Sequence, residues 1–577
     1  MNTVDDNPGW RHLGRTVSSR AETFWSQRLF PAAAPIVNKT DKRFWLCVLT
    51  LVVLSACLFL PNRSFPLLEP DEGRRAEISR EMLVNDDWIA CTLNQQPYYD
   101  KPPLFHWLVA LSYCCFGTCE ASARLVPALV AILTILTTFV LGRRLIGQRA
   151  AFLGALALML MGGFALTGRL VGLDGTLTLF ITAALLIAHE AVQSGQLRWR
   201  WWLTAAVLCG LGILTKGPIA LVLVLPPVLV HARLSAGTAR PRLIHLLAFG
   251  ATAALVATPW VILALVRDPR ILSEFLVEHN LRRFADGIAH EEAFWYYLPV
   301  LAVACVPWSP LFPFFLRQIM RMEPVQQARR CRPLGLLLLW SCWCVLFFTL
   351  SRGKLPLYIL PALPAFALLT GWFLEQILSE ARQWTALPPL IVLTVGVGWV
   401  AACIWSWRNG LIDVGSCVVV GVIAAAALVL LISLKGRWAM WAGLGLAAVV
   451  VLGFNIDTAH RLLPALARHR APLAATAELR RLARSGKTAV ACPAQTWSSI
   501  TFTCRGDIFD LESGTDAQLL AFLEGHRHAL VAISQPAFAR LKQQAPQGYN
   551  FTVVQTSTFG HVVLAEHDPT YASSPKP

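Results

Sequence analysis

What most constrains this chain is a recurring pattern of apolar runs long enough to cross a bilayer, separated by short polar segments. They lie near residues 44–60, 122–142, 150–168, 175–192, 201–214, 217–231, 243–266, 296–317, 334–350, 355–378, 387–405, 415–434 and 438–456, thirteen in all. In lipid every backbone N–H and C=O must find a partner inside the protein, so such runs fold as membrane-crossing helices. Some, such as 201–214, fall short of the ~20 residues a span needs, and their ends must run into the flanking loops. Composition agrees. Only 15% of the 577 residues are charged and 55% are hydrophobic, whereas soluble domains carry about 25% charge.

One further run, 103–117 (PLFHWLVALSYCCFG), is short and aromatic-rich, which suits a helix lying in the interface better than a span. Charge decides its place. With the N-terminus inside and 103–117 uncounted, segments 1–43, 143–149, 193–200, 232–242, 317–333, 379–386 and 435–437 are internal and hold 7, 3, 2, 3, 5, 1 and 2 Lys or Arg. The short outside loops near 169–174, 215–217, 351–354 and 406–414 hold 1, 1, 2 and 1. This is the positive-inside pattern, and counting 103–117 as a span would reverse it. The expected layout is therefore thirteen spans, with the N-terminus cytoplasmic and the C-terminus outside. The net charge of +16 is then largely inside-loop charge, and nucleic acid is not an expected partner.

The domains follow: a cytoplasmic segment 1–43, a membrane domain 44–456 with long outer loops 61–121 and 267–295, an outer domain 457–569 and a disordered tail 570–577. Within 472–569, LAATAELRRLARSG, DAQLLAFLEG and PAFARLKQQ read as helices. KTAVAC and HALVAIS read as strands, and FTVVQTSTFGHVVLAEH as a hairpin-like pair. This is a small α/β domain. Outside the membrane, Cys492 can pair with Cys504, and Cys91 with Cys114, Cys115 or Cys119, in an oxidising compartment.

The first outer loop is unusually charged: residues 69–100 carry eight Asp or Glu. In EPDEGRRAEISREML, Asp71 follows Pro70 at the start of an amphipathic helix with Ile78, Met82 and Leu83 on one side, a position suited to an N-cap. A cap does not require Glu72, Arg74 and Arg75 beside it. Asp174, in GRLVGLDGTLTLF, stands at the outer mouth of span four, as a cap or as a functional carboxylate. In QPYYDKPPLFHW the prolines make the chain stiff and extended, so Asp100 and Lys101 should point to opposite sides.

Cations oppose the orientation bias at Arg169, Lys216, Arg352 and Lys354, each at the outer end of a span. Snorkelling explains any one of them. Together with Arg74, Arg75, Lys101, Arg282 and Arg283 they suggest a phosphate site. FLVEHNLRRFADGIAHEE adds Glu278, His279 and His290, without the HxxxH or CxxC spacing of a metal site.

The segments PDEGRRAEISREML…DW…LNQQPYYDKPPLFHWL, GRLVGLDGTLTLF, TKGPIAL, FLVEHNLRRF and SRGKLPLYILPALP, in this order over roughly 44–380, resemble the bacterial lipid A aminoarabinose transferases. Those are membrane glycosyltransferases of the GT-C fold, related to protein O-mannosyltransferases. The resemblance implies a helical GT-C protein of about thirteen transmembrane helices, with outer-face juxtamembrane helices and a small periplasmic C-terminal domain, in a bacterial inner membrane. It implies Asp71 and Asp174 as catalytic carboxylates. Arg74, Lys101, Arg283, Lys354 and Tyr358 would line the site of an undecaprenyl-phosphate carrier. Asp100 and His279 would ligate a divalent metal, zinc by family likeness, with Asp100 where many relatives carry Glu. No nucleotide cofactor is implied. The expected reaction moves 4-amino-4-deoxy-L-arabinose from the carrier to a lipid A phosphate with inversion. Another sugar or acceptor is the alternative within the class, and a polyprenyl-lipid transporter the alternative outside it; no inverted repeat supports the latter.

Overall fold

The computed structural model describes residues 42–567 apart from 236, 276–277, 279–281, 283–290, 322–331, 380–386, 434–438, 471–480, 482–487, 493–496, 506–507, 512–515, 527, 546–547 and 558–559. Among them, eight helices are long and apolar enough to cross a membrane: Lys42–Phe59, Glu120–Ile146, Leu173–Val192, Leu243–Arg267, Pro356–Leu378, Pro388–Arg408, Val414–Ser433 and Ala442–Arg468. A ninth crossing is available if Tyr297–Ala304 and Ser309–Gln318, bent by 109°, form one broken span.

The other four apolar runs fold as shorter or charge-ended helices. Ile219–Leu234 contains Pro226 and Pro227, the apolar part of Arg332–Leu350 is only Leu334–Leu350, and Trp199–Lys216 carries charge near both ends. The run 150–168 is broken: Gln148–Leu160 stops at Met161, whose backbone is extended, and Gly162–Thr167 begins a new helix. The break is held by Gly162 N–H donating to Val306 O at 2.9 Å. Length and composition thus stop short of thirteen full spans. Residues 104–116 form a short apolar helix, below span length as expected.

Small residues let the helices approach. A Cβ on Gly154 would stand 3.0 Å from Ala367 O, and one on Gly371 would run into the Gly154 backbone, which brings Gln148–Leu160 against Leu363–Ser379 by close van der Waals packing. The last candidate span runs through Asn455 to Arg468.

The long loop after the first span folds as a layer at one end of the bundle. Its Asp71–Val84 helix buries Glu72, Arg75, Glu77, Arg80 and Glu81 along with Ile78 and Met82. A two-residue hairpin, Thr92–Leu93 paired with Gln96–Pro97, turns through Asn94 and Gln95 with positive φ at both. Cys91 is buried and unbridged, so its expected pairing with Cys114, Cys115 or Cys119 is not made. The burial places it against Ile78, Met82 and Leu93 instead.

In the C-terminal region five strands form one sheet in the order Phe509–Asp510, Ala489–Cys492, His528–Ile533, Gly560–His567 and Tyr549–Ser557. The first two neighbour pairs are parallel and the last two antiparallel. Helices Asp516–Glu524 and Gln535–Gln544 fall where their apolar periodicity put them. The helix read from LAATAELRRLARSG lies outside the described residues except at Arg481. Cys492 and Cys504 share one buried cluster with Trp497 and Ile500.

Candidate active site

Asp71 occupies the first helical position of Asp71–Val84, with Pro70 at the cap and no side-chain cap bond. The N-cap role open to Asp71 is therefore not the one it takes; the side chain is exposed. Four residues on, one helical turn away, Arg75 is buried and feels its charge. Arg74 is half-buried and acts electrostatically on Glu69.

Arg75 begins a line of hydrogen bonds. Its Nη1 donates to Tyr98 Oη at 2.8 Å, and Tyr98 Oη donates to Asp100 Oδ2 at 2.8 Å. Lys101 Nζ donates to Asp100 Oδ1 at 2.5 Å and to Asp100 O at 2.8 Å. The expectation that Asp100 and Lys101 diverge is corrected here: the segment bends rather than extending, and the lysine folds back on its neighbour. Burial lowers the Lys101 pKa to about 8, with Asp100 opposing and Arg75 and Lys216 assisting. Burial also works against the Arg75 charge, but Tyr98, Asp100 and Asp71 outweigh it and raise its pKa.

The second carboxylate is Asp174, buried in the first turn of Leu173–Val192. Gly172 takes the cap position, so Asp174 is not the cap either. It pairs with Lys216, the last residue of Trp199–Lys216. Lys216 Nζ also lies 4.1 Å from the Tyr358 ring centroid, a cation–π contact strengthened by desolvation. Two lysines from distant segments, Lys101 and Lys216, thus converge, each beside its own carboxylate.

The remaining candidates divide. Lys354 is buried and donates to Glu292 O at 3.0 Å. Its neighbour Leu355 accepts from Tyr297 Oη at 3.2 Å. Arg169 does not snorkel: it is buried and donates to the carbonyls of Leu58, Pro61 and Asn62. Arg352 is exposed. Arg282 pairs with Glu278 at 2.8 Å. Arg283, His279 and His290 lie outside the described residues. Two links tie the two long loops together: Tyr99 Oη donates to Asp268 Oδ2 at 2.5 Å, and Arg267 pairs with Asp87 at 3.2 Å.

Sequence reading assigned no role to Tyr98 and left Lys216 and Arg75 among a group of outer cations. It also missed the frame beneath them. Glu72 receives a two-pronged bond from Arg124, at 2.9 Å from Nε and 2.6 Å from Nη2, and accepts from the Leu68 and Val171 N–H groups. Arg124 spends its other donors on the carbonyls of Arg63, Phe65 and Pro66. Much of the loop's charge is therefore internal structure. The local signal for Tyr98 was its place two residues before Asp100; Arg124 offered none.

Residues 100–263 match the family model described as dolichyl-phosphate-mannose-protein mannosyltransferase. The chain is 35% identical over 338 residues to the undecaprenyl phosphate-alpha-4-amino-4-deoxy-L-arabinose arabinosyl transferase of Pseudomonas aeruginosa, covering 57% of this chain and 60% of that one. A relative with the same description from Edwardsiella ictaluri is 33% identical over 370 residues, covering 62% and 64%. The chain thus matches about three fifths of the length of these curated relatives. Among solved structures, ArnT from Cupriavidus metallidurans bound to undecaprenyl phosphate superposes with a TM-score of 0.72 at 22% identity, over 93% of this chain and 100% of that one. Its apo form gives 0.67 over 92% and 99%. The chain thus shares the fold of ArnT, and over about three fifths of their length its sequence is similar to the curated aminoarabinose transferases.

Proposed function

We propose that the chain is an inverting membrane glycosyltransferase that moves 4-amino-4-deoxy-L-arabinose from undecaprenyl phosphate to a phosphate of lipid A on the periplasmic face of the bacterial inner membrane. One observation supports the reading: the half-buried lysines Lys101 and Lys216, each paired with a carboxylate, act on one another electrostatically, with Lys216 against the Tyr358 ring, at the end of an apolar bundle. A prenyl phosphate has the matching chemistry, an anionic head on a long apolar chain.

In the transfer, a bond forms between the acceptor oxygen and the anomeric carbon as the bond from that carbon to the carrier phosphate oxygen breaks. The electron pair leaves with the phosphate, where Lys101 and Lys216 are preorganised to receive the charge. A phosphate acceptor is already an anion at neutral pH and needs no base. Asp71, exposed at the helix start, then orients the acceptor or stabilises the oxocarbenium-like sugar; with a hydroxyl acceptor it would be the base. Asp174 keeps Lys216 in place. Arg74, Arg283 and Lys354 complete the expected carrier contacts.

A family-type metal would be held by Asp100 and His279. Asp100 already binds Tyr98 and Lys101 through its two carboxylate oxygens. Among the described residues no group of three His, Cys, Asp or Glu could hold a metal ion, and His279 lies outside them. No step is routed through a metal.

Mass spectrometry of lipid A from cells with and without the gene tests the reading. Loss of a pentosamine on deletion is expected. Unchanged lipid A alongside a lost modification on another glycan would move the assignment to another sugar or acceptor.

A further inference from the structure

The first turn of the Asp71–Val84 helix is held from outside itself. With Pro70 at the cap and no side-chain cap bond, no local cap side chain receives its leading N–H groups. Two long-range clasps hold it. On one side Glu72 is fixed by Arg124 and by the Val171 N–H. On the other, Glu69 Oε1 accepts the Ser499 N–H at 2.5 Å, reaching across 430 residues of sequence into the C-terminal domain.

The second clasp is tight. A Cβ on Gly73 would stand 2.5 Å from the same Ser499 nitrogen. Phe502, from the same Ser498–Thr503 helix, enters a core made by Leu67, Ala76, Phe105, Tyr113 and Val171. Its ring centroid lies 6.1 Å from that of Tyr113. Glu69 itself is 4% exposed. Its second carboxylate oxygen has no hydrogen bond, and burial raises its pKa to about 7 against the opposing pull of Ser499 and Arg74. Keeping a half-satisfied carboxylate buried costs folding free energy. What the arrangement secures is the backbone two residues before Asp71.

We propose that the C-terminal domain takes part in the reaction by docking its Ser498–Thr503 helix on Glu69 and Gly73, which makes Glu69 a positioning residue for Asp71. The inference rests on the transferase reading above, in which Asp71 meets the acceptor while Lys101 and Lys216 hold the carrier. Loss of the clasp should therefore damage turnover and spare carrier affinity.

The test uses the full chain with three measurements: undecaprenyl phosphate affinity, pentosamine transfer to lipid A, and hydrogen exchange over residues 70–76. Glu69→Ala is expected to keep carrier affinity within about twofold while transfer falls about 10- to 100-fold, the usual cost of a misplaced reacting group. Exchange over 70–76 should rise at least about tenfold, with 104–116 unchanged. Glu69→Gln retains an acceptor oxygen for the Ser499 N–H and should keep transfer within about threefold. Gly73→Ala forces the two helices apart without altering charge and should reproduce the loss. Unchanged transfer or unchanged exchange in both Glu69→Ala and Gly73→Ala would overturn the proposal. Parallel loss of carrier affinity and transfer would also overturn it, reducing the contact to a folding requirement. If the wild type makes no modified lipid A, the substrate reading fails, and exchange still decides whether the C-terminal domain holds Asp71.

Discussion

Lys101 carries its charge under strain. Burial brings its pKa to about 8, so the free site loses its cation as pH rises through that value. Affinity for undecaprenyl phosphate should fall above about pH 8, and Lys101→Arg should abolish that dependence because a guanidinium stays charged. Binding isotherms between pH 6.5 and 9.5 in both proteins check this. Glu69 works in the opposite sense. Its pKa is raised from 4.5 to about 7, so the stability it allows is fully present below about pH 4.5 and is lost as pH climbs towards 7. Thermal denaturation of Glu69→Gln should lack that decline. At Asp71 the side chain is exposed and makes no cap bond, so Asp71→Asn should abolish lipid A transfer with Tm within about 2 °C of wild type. A variant that transfers normally would leave Asp71 without a chemical role. Asp71 and Asp174 could be picked out by position, since an acid at a membrane boundary needs a reason. Their electrostatic neighbours Arg75 and Lys216, 4 and 42 positions away, could not be matched to them without coordinates.

At the scale of elements, the Asp71–Val84 helix is the unusual one, because it buries five charged side chains. Each satisfies a partner: Glu77 binds Arg80 at 2.7 Å, and Glu81 receives Thr92 Oγ1 at 2.6 Å. Glu72 with Arg124 is the anchor, and Arg124→Met should destabilise the protein by about 3–5 kcal/mol by leaving the carboxylate buried and unpaired. Denaturation of the purified variant measures that loss, and equal stability would show the pair to be dispensable. The relay from Arg75 to Lys101 offers a milder probe. Tyr98→Phe removes one hydroxyl from a line of charged groups and should weaken undecaprenyl phosphate binding about tenfold, the cost of one charge-assisted hydrogen bond. The helix itself was visible in the spacing of Ile78, Met82 and Leu83. Its burial was not, because a heavily charged helix reads as a solvated one until its partners are known.

For the whole molecule, apolar run length was enough to specify a multi-span helical bundle, since lipid leaves the backbone no other way to satisfy its hydrogen bonds. Run length did not show how each run folds, because Met161 at the break, Pro226 and Pro227 inside Ile219–Leu234 and the 109° bend act on geometry rather than on hydropathy. Alternation and 3.6-residue periodicity located most strands and helices of the C-terminal sheet, while the Ser498–Thr503 helix and the Phe509–Asp510 strand were too short to leave a period. By itself, then, the sequence determined the membrane character and the helical class, because these follow from local composition and spacing. Only the tertiary structure decided that Lys101 folds onto Asp100, that Lys216 serves Asp174, and that Glu69 reaches Ser499. Those contacts join segments far apart in the chain or depend on a bend, and no local pattern encodes which distant group arrives to satisfy a buried charge.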